Sequence, residues 1–289
     1  MQQHAEIPLS DGGRTVLHTA RAADAQAPVV LVLPAMGVPA GYYEPFVDDL
    51  ARTGVTAAVA DYPGQGEAVP AVDRHHDHGY VQIAHDWLPK VVAELRAGHG
   101  GPLVLLGHSL GGHVLLAHLA GGHPLPDAAV LIGAGTPFWR RQQGLKTLAQ
   151  TQLMSLVSRV VGYWPGERLG FGGRQARTLV REWAAFARTG RLAPDGHPIR
   201  EALRDRSLPV LVVDLDGDHL APRAAVDALI EKLPSARTER FTFTKDADDP
   251  GKPVNHFSFA RSPEIIGERV AEWVVGATGD RHPSDRPTG

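Results

Sequence analysis

Pro102-Leu103-Val104-Leu105-Leu106-Gly107-His108-Ser109-Leu110-Gly111-Gly112-His113-Val114-Leu115-Leu116 is the stretch on which the reading of the chain turns. Apolar residues at strand length run into a sharp turn that carries one serine. Val114-Leu115-Leu116-Ala117-His118-Leu119-Ala120 continues with good helix formers, and Gly121-Gly122 stops them. Gly107-His108-Ser109-Leu110-Gly111 fits the pattern G-x-S-x-G, a strand-to-helix turn that exposes a serine hydroxyl at the top of a sheet. A strand that turns directly into a helix brings two backbones close together. Side chains two residues either side of the serine would collide, so both positions are glycine. The serine backbone is expected to be strained, which lifts the hydroxyl clear of the sheet.

Outward from this turn the chain alternates. Short strands are expected around Ile7-Pro8 and over 14–20, about a turn at Asp11-Gly12-Gly13. Val29-Val30-Leu31-Val32-Leu33 is apolar throughout, the mark of a strand covered on both faces. A helix over 43–51, a strand over 55–60 and a helix over 79–97 precede the serine turn. After it come strands over 128–134, 209–214 and, near the sheet edge, 237–243, then a closing helix over 263–275. This rhythm predicts an α/β fold, a mostly parallel eight-stranded sheet flanked by helices. Function in such sheets gathers at the carboxyl ends of the strands.

One segment breaks the rhythm. Between the strands at 128–134 and 209–214 no clear strand is visible. A structureless loop of that size would be abnormal. Leu153, Leu156, Val157, Val160 and Val161 recur at helical spacing, which predicts a helical cap insertion over 136–206. The core then comprises 1–135 and 207–277. Residues 278–289 are polar and proline-bearing and read as a disordered tail. Most cap aromatics, among them Trp139, Trp164, Phe171 and Trp183, are expected to pack the cap, and one or two to line a pocket.

A serine hydroxyl is a poor nucleophile until a base takes its proton. The base expected is a histidine oriented by a carboxylate, in the chain order serine, acid, histidine. The acid should follow the strand at 209–213. Asp214 lies too close to the strand, so Asp218 is the choice, in a turn after Gly217, with Asp216 as the alternative. His256 is the histidine chosen, because it sits on the loop between the last strand and the last helix. The developing oxyanion needs two backbone N–H donors. One is Leu110, which also opens the helix after the serine. The other is Met36, with Ala35 as fallback, in the loop Pro34-Ala35-Met36-Gly37. His75-His76-Asp77-His78 invites a metal reading, but adjacent histidines point apart and a solvated loop is expected there. No metal and no cofactor are therefore assigned.

The chain has 289 residues, a net charge of -3 and no cysteine. That balance argues against a nucleic-acid partner, and the missing thiols exclude a disulfide framework, a thiolate metal site and a cysteine nucleophile. The start of the sequence lacks a secretory signal and no apolar run is long enough to span a membrane, so a cytoplasmic location is expected.

Taken together, Ser109, Asp218, His256 and the loop Pro34-Ala35-Met36-Gly37 resemble the α/β-hydrolase superfamily over nearly the whole chain except the cap and tail. Asp61-Tyr62-Pro63-Gly64-Gln65-Gly66 is similar to the D-x-x-G-x-G turn of many members. Pro34-Ala35-Met36-Gly37, Pro137-Phe138-Trp139-Arg140 and Gly170-Phe171-Gly172-Gly173 resemble a bacterial group related to serine aminopeptidases and lysophospholipase-like enzymes. Many hydrolases carry His-Gly where this chain has Pro34-Ala35, which leaves the second oxyanion donor open. The expectation is a serine hydrolase acting on an ester, thioester or amide of a small, largely apolar acyl substrate. Two alternatives stand beside it: a non-hydrolytic enzyme on the same fold, such as a lyase, C–C bond-cleaving enzyme or cyclase, and a silent binding protein. Oligomeric state is not written in the sequence.

Overall fold

Successive residues of a strand face opposite sides of its sheet, so a strand apolar at every position must be covered twice. The computed structural model, which describes residues 2–244 and 254–279, shows this arrangement. In chain order the elements are β1 (Gln2–Pro8), β2 (Arg14–Ala20), β3 (Val29–Leu33), α1 (Glu44–Arg52), β4 (Thr56–Ala60), α2 (Tyr80–Gln82), α3 (Leu88–Gly98), β5 (Leu103–His108), α4 (Leu110–Ala120) and β6 (Ala128–Ile132). Then follow α5 (Leu145–Val161), β7 (Tyr163–Pro165), α6 (Gly166–Leu169), β8 (Arg174–Ala176), α7 (Arg177–Thr189), β9 (Pro209–Leu215), α8 (Arg223–Ile230), β10 (Arg237–Phe243) and α9 (Glu264–Gly279).

Within the described residues eight strands form one sheet, ordered β1-β2-β4-β3-β5-β6-β9-β10. The β1/β2 and β2/β4 pairs are antiparallel and the rest are parallel. Leu31, Leu33 and Leu105 pack with Leu88 and Val91 of α3 and with Leu115 and Leu119 of α4. Val30, Val32, Val104 and Leu106 pack on the other side with Phe46 and Leu50 of α1 and with Ile266 and Val270 of α9. α4 is buried from Leu110 through Leu119, so the helix after the serine has no solvent face.

The sequence reading needs correction in four places. β1 reaches back to Gln2 rather than starting near Ile7. The helix expected over 79–97 is broken by a π turn at Ile83–Trp87, which sinks Ile83 and Trp87 into the core. α9 runs on through Gly279, two residues into the stretch read as tail, because the buried Thr278 hydroxyl donates to Val274 O at 2.7 Å. The remaining tail, 280–289, lies outside the described residues. Between β6 and β9 the chain is not purely helical: β7 and β8 pair antiparallel, with Tyr163 opposite Ala176. Strands of three residues are too short to show a period in sequence.

This insertion is held together by α5 lying on α7. Met154 and Trp164 pack against Val180, with Val157 and Trp183 beside them. Asp77 fastens it to the body. Its carboxylate accepts from the Thr178 N–H at 2.8 Å and the Thr178 hydroxyl at 2.7 Å, and meets Arg177 at 3.1 Å. The Asp61 turn fastens the body itself. Asp61 accepts from the N–H groups of Ala40 and Glu67 at 2.8 and 2.9 Å, and a side chain at Gly66 would collide with its carboxylate.

Candidate active site

Ser109 joins β5 to α4 at φ 53°, ψ -113°, a conformation rarely adopted by a residue with a side chain. The glycines around it are dictated by contact. A Cβ at Gly107 would stand 2.6 Å from the Gly112 nitrogen, and one at Gly111 would overlap Leu33 O. The turn is therefore closed by backbone against backbone, and it presents Ser109 at the carboxyl end of the central strand.

Asp218 and His256 meet there. His256 Nδ1 lies 2.7 Å from Asp218 Oδ2, with both side chains buried. The other carboxylate oxygen, Oδ1, accepts from the N–H groups of Leu220 and Ala221 at 2.8 and 3.1 Å, so the acid is fixed from two sides. Gly133, at φ 52°, leaves the space the pair occupies: a Cβ there would come within 3.2 Å of Asp218 Oδ2 and 3.3 Å of His256 Nδ1. The loop bearing His256 is tied locally, since Asn255 Oδ1 accepts from the N–H groups of Phe257 and Ser258.

The other acids lie elsewhere. Asp216 is exposed in the turn. Asp214 sits within β9 and is paired with Arg240 at 2.7 Å and Arg223 at 3.1 Å. Of the two candidate oxyanion donors in the loop after β3, the Ala35 N–H already donates to the Tyr43 hydroxyl at 2.9 Å. The Met36 N–H has no partner among the described residues. Leu110 supplies the first N–H of α4.

One residue of the site was passed over in the sequence. His108, fully buried, joins three parts of it. Its Nδ1 accepts from the Tyr43 hydroxyl at 2.6 Å, and its Nε2–H donates to the His256 carbonyl at 2.8 Å. A chain of hydrogen bonds thus runs from the Ala35 N–H through Tyr43 and His108 to the backbone of His256. Burial drives the His108 pKa well below that of a free imidazole, and the neighbouring His256 adds to this. His108 is therefore neutral, and its tautomer is set by its two partners. The signal in the sequence was a histidine at a strand end with apolar neighbours, which by itself is indistinguishable from packing. Nearby His113 is also neutral. Burial lowers its pKa to about 4, and its Nε2–H donates to Gly135 O at 2.9 Å.

Ser109, His256, Leu110 and Met36 line one cavity of about 490 Å³. The insertion supplies much of its wall, including Met154, Trp164, Phe171 and Trp183, while Gln142, Gln150 and Lys146 bring polar groups to one side. A larger crevice of about 730 Å³ lies between α5 and α7, but it holds none of the residues above. Among the described residues no group of three or more histidines and acids could hold a metal ion. In the histidine cluster of the sequence, His76 pairs with Asp73, Asp77 anchors the insertion, and His78 is buried with its pKa pushed down to about 4.

Residues 29–277 match the alpha/beta hydrolase family. The chain belongs to that family. No curated protein matches it. Solved structures share the fold at low identity. An esterase from Exiguobacterium antarcticum is 18% identical, with 94% of this chain and 99% of that one covered and a TM-score of 0.65. A thermophilic esterase from Thermogutta terrifontis is 16% identical, with 96% and 99% covered and a TM-score of 0.65. A thioesterase domain from the curacin biosynthetic pathway is 14% identical, with 96% and 99% covered and a TM-score of 0.59. No helix of the described residues is long and apolar enough to cross a membrane.

Proposed function

We propose that this alpha/beta hydrolase is a serine hydrolase that cleaves an ester, thioester or amide of a small, largely apolar acyl group. The observation that carries the reading is the buried His256–Asp218 pair, which opens on the same cavity as the strained Ser109. Ser109 Oγ attacks the acyl carbonyl while His256 Nε2 takes its proton. Asp218 holds the Nδ1–H and stabilises the imidazolium that forms. The negative charge on the former carbonyl oxygen is met by the N–H groups of Leu110 and Met36. Collapse of the tetrahedral adduct breaks the bond to the leaving group, which departs with the proton from His256. Water then attacks the acyl-serine by the same route, releasing the acid and restoring Ser109.

The insertion acts as a cap in this reading. Its aromatic and methionine side chains favour an apolar acyl group, and the neighbours named as esterases and a thioesterase support an ester or thioester as the bond cleaved. The test is turnover of short p-nitrophenyl esters by the wild type and by Ser109→Ala. Hydrolysis by the wild type and a loss of about 10⁴-fold or more in the variant is expected. Undiminished turnover by Ser109→Ala would overturn the assignment.

A further inference from the structure

α5 presents apolar side chains on two opposite faces. Met154 and Val157 face α7, as an amphipathic helix requires. The outer face should be polar, yet its outermost line is Leu145, Ala149, Leu153, Leu156 and Val160, spaced four, four, three and four residues apart. Four of these are strongly exposed: Leu145 71%, Leu153 58%, Leu156 58% and Val160 78%. At about 1.5 Å per residue the line is roughly 22 Å long. It leads into the mouth of the active-site cavity, because Leu153 belongs to both, and Leu169, Phe171 and Leu220 extend the exposed apolar rim there.

Cations flank this ridge. Arg159, Arg181, Arg188 and Arg191 line the crevice on its α7 side, and none of them is in a salt bridge among the described residues. The crevice also holds the acids Glu182 and Asp195, and the Glu182 carboxylate is taken up by the N–H groups of Tyr80 and Asp195. Lys146 falls on the other flank at 100° per residue. The bias is general in this part of the chain. Residues 136–206 hold thirteen Arg and Lys against five Asp and Glu, whereas the whole chain carries -3.

We propose that the α5 ridge and its arginine flank dock the enzyme on an anionic lipid surface, with the cavity mouth held at the interface. The side chains on the ridge are aliphatic and carry no hydrogen-bonding group, which suits insertion among acyl chains below a layer of anionic headgroups. Protein interfaces draw their anchors from Tyr, Trp and Arg, and use Leu and Val less. A second copy is disfavoured by charge, since a face-to-face dimer would set the arginine cluster against itself. Docking is a binding property, so it stands or falls separately from the proposed hydrolysis.

The test is flotation of the full chain with vesicles of phosphatidylcholine alone or mixed with phosphatidylglycerol. The variants are Leu145→Gln/Leu156→Gln/Val160→Gln and, independently, Arg159→Glu/Arg191→Glu. These side chains lie outside the active-site cavity, so turnover of a soluble short ester should be unchanged. Wild type should bind the anionic vesicles at least about tenfold better than the neutral ones, losing about fivefold per cation removed. The apolar triple variant should also fall by about tenfold. Ser109→Ala should bind like wild type, which separates this test from that of the hydrolase reading. Equal binding of the variants and wild type, or no preference for anionic vesicles, overturns the proposal. So does a concentration-dependent dimer that the triple variant abolishes, or binding to polyglutamate that is as tight as to vesicles.

Discussion

The strand ends of the sheet and the insertion above them are built by different rules. At the strand ends the acid and the buried histidines are each held by other groups, while the Met36 N–H has no partner among the described residues. Asp218 has two backbone donors, His108 has two partners, and the elbow glycines admit no side chain. The insertion shares the body's core through Leu179, Phe186 and Leu203 and is pinned by Asp77, yet it leaves aliphatic side chains in solvent along α5. In the proposed reading, the difference separates chemistry from selectivity. The strand ends fix a geometry, and the insertion sets what reaches it.

Substitutions can break this division. The largest effect after loss of the serine is expected at the strand ends. Asp218→Asn keeps the volume but presents an amide to His256 Nδ1, and kcat for a soluble ester should fall by about 10³- to 10⁴-fold with little change in stability. Loss of less than tenfold would mean that the carboxylate does not orient the base.

His108→Phe comes next. It removes the acceptor of the buried Tyr43 hydroxyl and the donor to the His256 carbonyl, a cost of about 1–3 kcal/mol in unfolding free energy, read from urea denaturation. Displacement of the base should lower kcat by roughly ten- to a hundredfold while KM stays nearly constant. A purely structural role would lower stability and leave kcat per folded molecule intact.

The insertion should behave in the opposite way. Trp183→Ala enlarges the cavity wall, so KM should change with acyl length, by about tenfold between short and long chains, while kcat for the shortest ester is spared. A uniform fall in kcat would place that side chain in the chemistry rather than in selection.

Acid should divide the two regions more gently. His78, His113 and His118 belong to the body, and burial lowers the pKa of each to about 4. Unfolding returns them to about 6.5, so the unfolded chain binds more protons between these values. Stability is therefore fully present above pH 6.5 and is lost as pH falls toward 4. Asp49 and Asp61, raised by burial, act in the opposite sense at the lower end. Urea midpoints at pH 7 and pH 5 check this, with the lower value expected at pH 5. An unchanged midpoint would contradict the buried neutral state of these rings.

The same division explains what could be read before any coordinates. The buried strands and the elbow announce themselves because strand-end chemistry depends on local sequence: a run of apolar residues, then glycines where backbones touch. Asp218 and His256 were reached by position alone, as the first turn after β9 and the loop before α9. His108 escaped because its partners, Tyr43 and the His256 carbonyl, are remote in the chain, and no spacing rule links them. In the insertion, Leu153, Leu156 and Val160 gave the helix of α5 correctly. They could not say that these side chains face solvent while Met154 and Val157 face α7, since a helix apolar on two sides has no preferred face by pattern. The β7–β8 pair was hidden by its length.

The most direct measurement is covalent labelling with a fluorophosphonate, followed by peptide mapping of the modified residue. A single adduct on Ser109 is expected, formed quickly by the wild type and at least about a hundredfold more slowly by His256→Ala. A folded wild-type protein that takes up no label, or one labelled at a residue other than Ser109, would contradict the claim that His256 and Asp218 activate this serine.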